Sequence, residues 1–113
     1  MKIEKFHIYL TDLNPRLGTE PGKVRPVVVV QTNLLNNTHP STIVCPLTTK
    51  VNLGAHILRV HLQKGTSGLS KDSDILVDQI RAIDNRRFKT HMGVLVVRDR
   101  QKLLQNLHLL ILR

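Results

Sequence analysis

The sequence is short of the side chains on which several common kinds of small protein depend. Its 113 residues include one cysteine, Cys45, no tryptophan, and three aromatic residues, namely Phe6, Tyr9 and Phe88. A lone cysteine excludes a disulfide within the chain and favours a reducing compartment. Because Cys45 lies in the apolar run 42–47, we expect it to be a buried and unreactive thiol rather than a nucleophile.

Other absences narrow the function. So few aromatic residues argue against a protein that reads single-stranded nucleic acid by stacking bases on its side chains. Neither a run of about 18 apolar residues nor an apolar leader is present, so we expect a cytoplasmic protein without a membrane partner. The six histidines show no close ligand spacing, and no phosphate-binding glycine motif occurs, so we expect no metal and no cofactor.

Acidic residues are also scarce. Seventeen lysines and arginines face eight aspartates and glutamates, giving a net charge of +9, and the basic residues are spread along the whole chain. Such an excess indicates an anionic partner, either a nucleic acid or an acidic protein. Charge alone does not choose among RNA, DNA and protein.

The hydrophobic pattern predicts several short strands followed by one helix. The strands are expected at residues 6–10, 27–30, 42–47, 56–62, 73–84 (one long strand, bent in the middle) and 92–97. The spacing of Leu103, Leu107 and Ile111 is that of one helix face, with Asp99 as the N-cap. This order favours a mainly β (α+β) fold, a small antiparallel barrel or curled sheet with a packed C-terminal helix, and a single domain over residues 1–113.

The most informative stretch is the polar loop 18–24, which runs into the apolar strand 27–30. Pro26 biases Arg25 towards an extended backbone, so its guanidinium would be held by the sheet and still reach solvent. The simplest interpretation is a surface ion pair between Glu20 and Arg25, which would contribute little to stability.

A second interpretation joins this loop to Thr48, at another predicted strand end. Cleavage of RNA through its 2′-hydroxyl needs a base, a proton donor for the leaving oxygen and a fixed cation for the phosphoryl charge. Glu20 suits the first role and Arg25 the third, with Thr48 as a hydrogen-bond donor to phosphate, and no metal is needed. Spacing alone leaves open whether the three side chains converge.

Five blocks of sequence, taken together, resemble the MazF/PemK (Kid) family of toxins. They span residues 3–88 in the order and at the spacing typical of that family, and the predicted C-terminal helix also matches in position. The blocks are Asp12-Leu13-Asn14-Pro15, Gly18-Thr19-Glu20, Arg25-Pro26-Val27-Val28-Val29-Val30, Pro46-Leu47-Thr48-Thr49 and Val77-Asp78-Gln79-Ile80-Arg81-Ala82-Ile83-Asp84.

The resemblance implies an SH3-like barrel shared with the CcdB toxins. It further implies a homodimeric, metal-independent, sequence-specific endoribonuclease that cuts single-stranded RNA, mainly messenger RNA, leaving a 2′,3′-cyclic phosphate and a 5′-hydroxyl. A cognate, MazE-like antitoxin with an acidic tail would block the site, which agrees with the charge of +9.

Site residues follow from the same resemblance. Arg25 and Thr48 match the catalytic arginine and threonine of the family, and Glu20 matches the glutamate of the first loop. The positions expected to contact RNA are Thr19, Lys23, Asp78, Gln79 and Arg81. An internal ion pair between Asp78 and Arg81 is an alternative to direct RNA contact.

Two departures from the family pattern stand out. Pro21 replaces the glutamine that usually follows the loop glutamate, which bears on base recognition, and Leu76 replaces the arginine that accompanies Asp78 in the Kid branch. Two other functions compete with RNA cleavage: a gyrase poison of the CcdB kind and a passive RNA- or protein-binding barrel. Arg25 and Thr48 argue against the gyrase poison, which does not require such a pair.

Overall fold

The computed structural model describes residues 1–15, 17–19 and 23–113, and Glu20, the candidate base, lies outside them. The strands are β1 (His7–Asp12), β2 (Val24–Val29), β3 (Ser41–Thr48), β4 (Arg59–Leu62), β5 (Ser73–Leu76), β6 (Arg81–Asp84) and β7 (Phe88–Val94). One helix, α1 (Val97–Ile111), follows them. No helix in these ranges is both long and apolar enough to cross a membrane.

The strands form one antiparallel sheet that curls without closing. Their order is β4-β5-β3-β2-β1-β7, and β6 also pairs with β3. In the centre of the sheet Ile8 lies opposite Val28, which lies opposite Cys45. This arrangement confirms the expected curled antiparallel sheet with a C-terminal helix.

Both faces of the central strands are buried, which explains the unbroken run of valines in β2. Val28 belongs to one apolar cluster, together with Ile8 and with Leu103 of α1. Its neighbours Val27 and Val29 point the other way and belong to a second cluster. Since successive residues of a strand face opposite sides, a sheet covered on both faces needs apolar residues at every position.

Cys45 lies in the first of these clusters and has no exposed surface. Burial raises the pKa of its thiol to about 12, and the nearby carboxylate of Asp78 acts in the same direction. The thiol therefore stays protonated in neutral solution, which confirms the prediction of an inert cysteine.

The long strand predicted over residues 73–84 is wrong, because a 3₁₀ turn at Val77–Gln79 divides it. The division lets the two halves pair with different parts of β3. Ile75 lies opposite Leu47 near the end of β3, whereas Arg81 lies opposite Val44 in its first half. A side-chain pattern does not reveal such a change of pairing position along the partner strand.

The boundaries of other elements also differ from the prediction, as three cases show. Asp99 is not the N-cap of α1 but the third helical residue, where its carboxylate still interacts favourably with the positive end of the helix dipole. The final strand begins at Phe88, earlier than expected. The strand expected at residues 56–62 begins only at Arg59, so His56 precedes β4, and its ring lies 6.1 Å from that of His61, centroid to centroid.

A close backbone contact between residues 67–68 and β7 yields a test of the packing. A Cβ atom at Gly93 would lie 2.4 Å from the carbonyl oxygen of Ser67, a separation that backbone movement alone could relieve. We expect Gly93→Ala to lower the free energy of unfolding by about 1–3 kcal/mol, measured by chemical denaturation.

Gly54→Ala is the matched control, because the nearest atom to its added Cβ would be a side-chain oxygen at 3.5 Å. Its expected effect is within about 0.5 kcal/mol. Equal losses of stability in the two variants would contradict the close contact.

Candidate active site at the strand ends

A cavity of about 270 Å³ lies where β2 begins and β3 ends. Because the two strands are antiparallel, the start of one and the end of the other meet at the same edge of the sheet. Val27 lies opposite Pro46, and extending this register by two residues sets Arg25 opposite Thr48. The pairing thus brings together the two residues that the resemblance assigns to catalysis, and Lys23 also lines this cavity.

Arg25 is half-buried and tied to both neighbouring strands. One guanidinium nitrogen, Nη1, donates to the carbonyl oxygen of Leu47 at 3.2 Å. The hydroxyl of Thr11 on β1 donates to the carbonyl oxygen of Arg25 at 3.1 Å. The first contact holds the guanidinium against β3, and the second holds the backbone of Arg25 against β1.

Thr48 is oriented by the residues that follow it. Its Oγ1 accepts a hydrogen bond from the backbone N–H of Lys50 at 3.1 Å, which leaves the hydroxyl hydrogen able to point towards a ligand. The amide of Lys23 is fixed at 2.8 Å from Asn14 Oδ1. The cavity lining therefore includes three cationic residues, Lys23, Arg25 and Lys50, together with hydroxyl side chains such as that of Thr48, a combination suited to a phosphate group.

Sequence reasoning missed Lys50 and Ser73 as lining residues of this cavity. A signal for Lys50 was present, because it ends the polar stretch 48–50 immediately after a predicted strand. No sequence signal pointed to Ser73, because only the pairing of β5 with the end of β3 brings it to the site.

A second cavity, of about 370 Å³, collects three of the residues predicted to contact RNA. Thr19, Asp78 and Gln79 line it, together with Leu76 and the segment that precedes β4. Arg81 belongs to the lining of neither cavity. Among the described residues no salt bridge joins Asp78 to Arg81, so the alternative of an internal ion pair is wrong.

The segment 49–58, between β3 and β4, takes part in both cavities. Lys50 lines the first, and Ala55, Ile57 and Leu58 line the second. Any ligand long enough to occupy both cavities would therefore contact this segment along its course.

A buried carboxylate, also missed by sequence reasoning, lies behind the segment. Asp74 on β5 has no exposed surface, and its Oδ2 accepts from Arg59 Nη1 at 2.9 Å and from the amide of Asn52 at 3.0 Å. Its Oδ1 is 2.6 Å from Nδ1 of His61. The only sequence signal is a charged residue inside the otherwise apolar β5, which gives no indication of its partners.

The hydrogen bonds to Asp74 decide its ionisation. Burial on its own would raise the pKa of this carboxyl group, but the bonds from Asn52, Arg59 and His61 outweigh burial and hold the pKa below its usual range. Asp74 is therefore ionised at neutral pH, and its charge is compensated inside the protein.

A substitution tests this compensation. We expect Asp74→Asn to lower the free energy of unfolding at pH 7 by about 1–3 kcal/mol, because Arg59 and His61 lose a charged acceptor. Since the folded-state pKa lies below the unfolded value of about 3.9, the contribution of Asp74 is complete above that value and is lost as the pH falls through the folded-state pKa. The difference in the free energy of unfolding between wild type and variant should therefore become smaller in acid. Denaturant unfolding at a series of pH values measures it.

Asp72→Asn is the control for that measurement. Asp72 accepts from the amide of Lys64 at 2.8 Å at an exposed site, and asparagine keeps an oxygen acceptor there. A loss of stability in this variant as large as in Asp74→Asn would contradict a special role for the buried carboxylate.

Solved structures with this arrangement of strands and helix include toxins of the MazF type. MazF (Form-I) from Deinococcus radiodurans superposes with a TM-score of 0.85 at 21% identity, covering 100% of this chain and 99% of that one. The Mycobacterium tuberculosis toxin MazF-mt6 superposes with a TM-score of 0.76 at 20% identity, covering 90% and 92%. A MazE–MazF complex (Form-II) from Deinococcus radiodurans gives 0.77 at 22% identity, covering 98% and 96%. At these identities the likeness defines the fold.

The family itself is defined by sequence. The family model of the PemK-like, MazF-like toxins of type II toxin–antitoxin systems matches residues 4–111. This chain belongs to that family, which confirms the resemblance drawn from its five sequence blocks.

Proposed function

We propose that this toxin is a sequence-specific, metal-independent endoribonuclease that cuts single-stranded RNA, mainly messenger RNA, in the cytoplasm. The observation that carries the proposal is the shared cavity of Arg25 and Thr48, whose lining also includes Lys23 and Lys50. A cation and a hydroxyl fixed at one strand edge suit a phosphodiester, whose charge grows on the phosphoryl oxygens during cleavage.

The proposed reaction is an internal transfer of the phosphoryl group. A base removes the proton of the 2′-hydroxyl, the 2′-oxygen bonds to phosphorus, and the bond from phosphorus to the 5′-oxygen breaks. The leaving oxygen takes up a proton, so the products are a 2′,3′-cyclic phosphate and a 5′-hydroxyl. Arg25 stabilises the phosphoryl charge, and Thr48 donates a hydrogen bond to it. Glu20 remains the proposed base, on the family resemblance alone.

The second cavity supports a path for the flanking nucleotides. Thr19, Asp78 and Gln79 offer donors and acceptors suited to base edges, and Leu76 adds an apolar surface. Arg81, on the neighbouring β6, stays a proposed phosphate contact for a longer RNA. Recognition through base edges needs few aromatic side chains for stacking on bases, which agrees with the three aromatic residues of the chain.

The decisive experiment removes the cation. We expect Arg25→Ala to slow the cleavage of a long unstructured RNA, incubated in EDTA, by about a hundredfold or more. Circular dichroism and denaturation would establish that the variant is folded. Wild-type protein should cut at one short repeated sequence, which mapping of the ends would reveal together with the cyclic phosphate.

Lys102→Ala is the control for the loss of a positive charge, because Lys102 is an exposed residue of α1. It should cut RNA at the wild-type rate. Full activity of Arg25→Ala, or activity lost in EDTA and restored by a divalent ion, would contradict the mechanism. Absence of cleavage by folded wild-type protein, with inhibition of DNA supercoiling, would favour the gyrase poison instead.

The proposed protein partners are an acidic antitoxin and a second copy of this chain. The charge of +9 suits an acidic partner. An apolar surface for dimerisation is available on the last turns of α1, where five large side chains are each at least 38% exposed: Leu104, Leu109, Leu110, Ile111 and Leu112.

Sedimentation analysis tests the dimer. We expect Ile111→Glu to raise the dimer dissociation constant at least about tenfold, because a buried apolar contact would be replaced by a charge. Leu34→Glu is the control, since Leu34 is 87% exposed in the turn after β2. An unchanged dimer in the Ile111 variant would place the interface elsewhere.

A further inference from the structure

Within the segment 49–58, residues 50–55 are held from behind by one cluster of polar side chains. Their contacts with this cluster are three: the amide of Asn52 donates to Asp74 Oδ2, Arg59 Nη1 donates to the carbonyl oxygen of Lys50 at 3.0 Å, and His61 Nε2 lies 2.9 Å from the carbonyl oxygen of Ala55. Arg59 and His61 are both bound to Asp74. The position of residues 50–55 therefore depends on one buried carboxylate and its two partners. Leu58, at the end of the segment, is held separately: its amide donates to Asn106 Oδ1 at 2.6 Å, and its carbonyl oxygen accepts from the amide of Val77 at 3.0 Å.

The contacts of His61 define its protonation. A carbonyl oxygen only accepts, so Nε2 must donate to Ala55. The carboxylate of Asp74, ionised and already accepting two other bonds, must accept from Nδ1 at 2.6 Å. Both ring nitrogens therefore carry hydrogen, and the geometry is that of a charged imidazolium.

A neutral imidazole cannot maintain both contacts. Of the two, the bond to the carboxylate is charge-assisted and therefore the stronger, so a single remaining hydrogen would stay on Nδ1. The lone pair of Nε2 would then face the carbonyl oxygen of Ala55, and the two would repel each other. Loss of one proton thus releases the segment at Ala55, on the lining of the second cavity.

We propose that Asp74, Arg59 and His61 are positioning residues for segment 49–58, and that the second proton on His61 latches this segment against the sheet. The cluster bears on both cavities. Arg59 binds the carbonyl oxygen of Lys50, the residue whose amide orients Thr48, and the latch itself holds Ala55 in the lining of the second cavity. The expected effect of the latch on RNA binding rests on the proposed function, whereas its expected effect on the position of the segment does not.

Three ionisable groups of the described chain face His61. Asp74 on β5 favours the charged ring, whereas Arg59 on β4 and the ring of His56, 6.1 Å away in the segment itself, oppose it when they are charged.

The first test needs no RNA. The ring signals of His61 and the amide signals of Asn52 and Ala55 are followed by NMR in the full-length wild-type protein from pH 5 to pH 9, at steps of about half a unit. We expect the amide of Ala55 and its neighbours to shift with the same midpoint as the His61 ring, and their hydrogen exchange to accelerate above it. The proposal would be overturned if the amide signals of the segment stayed constant over the pH range in which the ring signals of His61 change.

The second test uses His61→Gln, with His39→Gln as its control. Glutamine keeps one donor but cannot donate at both ends, and His39 is exposed in the turn before β3. We expect the pH-dependent change of the segment to vanish in the first variant and to persist in the second. Should His61→Gln fail to fold, the wild-type titration still decides the question.

Cleavage kinetics extend the test to function. Above the His61 midpoint we expect the KM of wild-type protein for RNA to rise about three- to tenfold, the scale of one hydrogen bond, with a smaller change in kcat. His61→Gln should show the high-pH KM throughout. A wild-type KM for RNA that does not change with pH across the His61 midpoint would overturn the proposed effect of the latch on RNA binding. An absence of all cleavage, with the NMR coupling intact, would refute the proposed function and leave the latch standing.

Discussion

The antiparallel pairing of β2 with β3 is the constraint on which the site depends. A guanidinium from the start of one strand and a hydroxyl from the end of the other meet only because the two strands run in opposite directions in one particular register. A slip of one residue would turn every side chain of β2 to the other face. The packing of Val27, Val28 and Val29 into two separate apolar clusters makes such a slip very unfavourable, so the core holds the site in register.

The two cavities place different demands on the structure. The first is built on strands and shares their rigidity, through the contacts of Arg25 with Leu47 and Thr11. The second is bordered by a segment without regular secondary structure, held by polar side chains. Hydrogen bonds to a buried charge are strong only while every partner is in place. The proposed chemistry and the proposed recognition of flanking groups therefore rest on different kinds of interaction.

Much of the framework was predictable from local pattern. The valine run, the apolar stretch around Cys45 and the leucine spacing of the helix each report burial directly, and burial is what these patterns encode. The turn that divides residues 73–84 was not predictable, because it reflects how two short strands share the edge of β3. Asp99 shows the same limit on a smaller scale: an acidic residue near a helix start is favourable at several positions, so its presence does not set the boundary.

The site was predictable in part. Arg25 and Thr48 were identified because each adjoins a strand, and the family resemblance assigned them roles. The buried cluster was not, since His61, Arg59 and Asp74 are ordinary residues in sequence and become a unit only when β4 pairs with β5. Buried charges are stable only as networks, and the partners of a network are a property of the fold.

The open curl of the sheet has a further consequence, for colloidal behaviour. In the described strand order the two ends are β4 and β7, and an end strand offers backbone groups to which another chain can add. Arg59, which is paired with Asp74, lies on β4, and Lys89 lies on β7. Two molecules that met edge to edge would each bring a net charge of +9, so the basic character that suits an anionic partner also opposes aggregation through these edges.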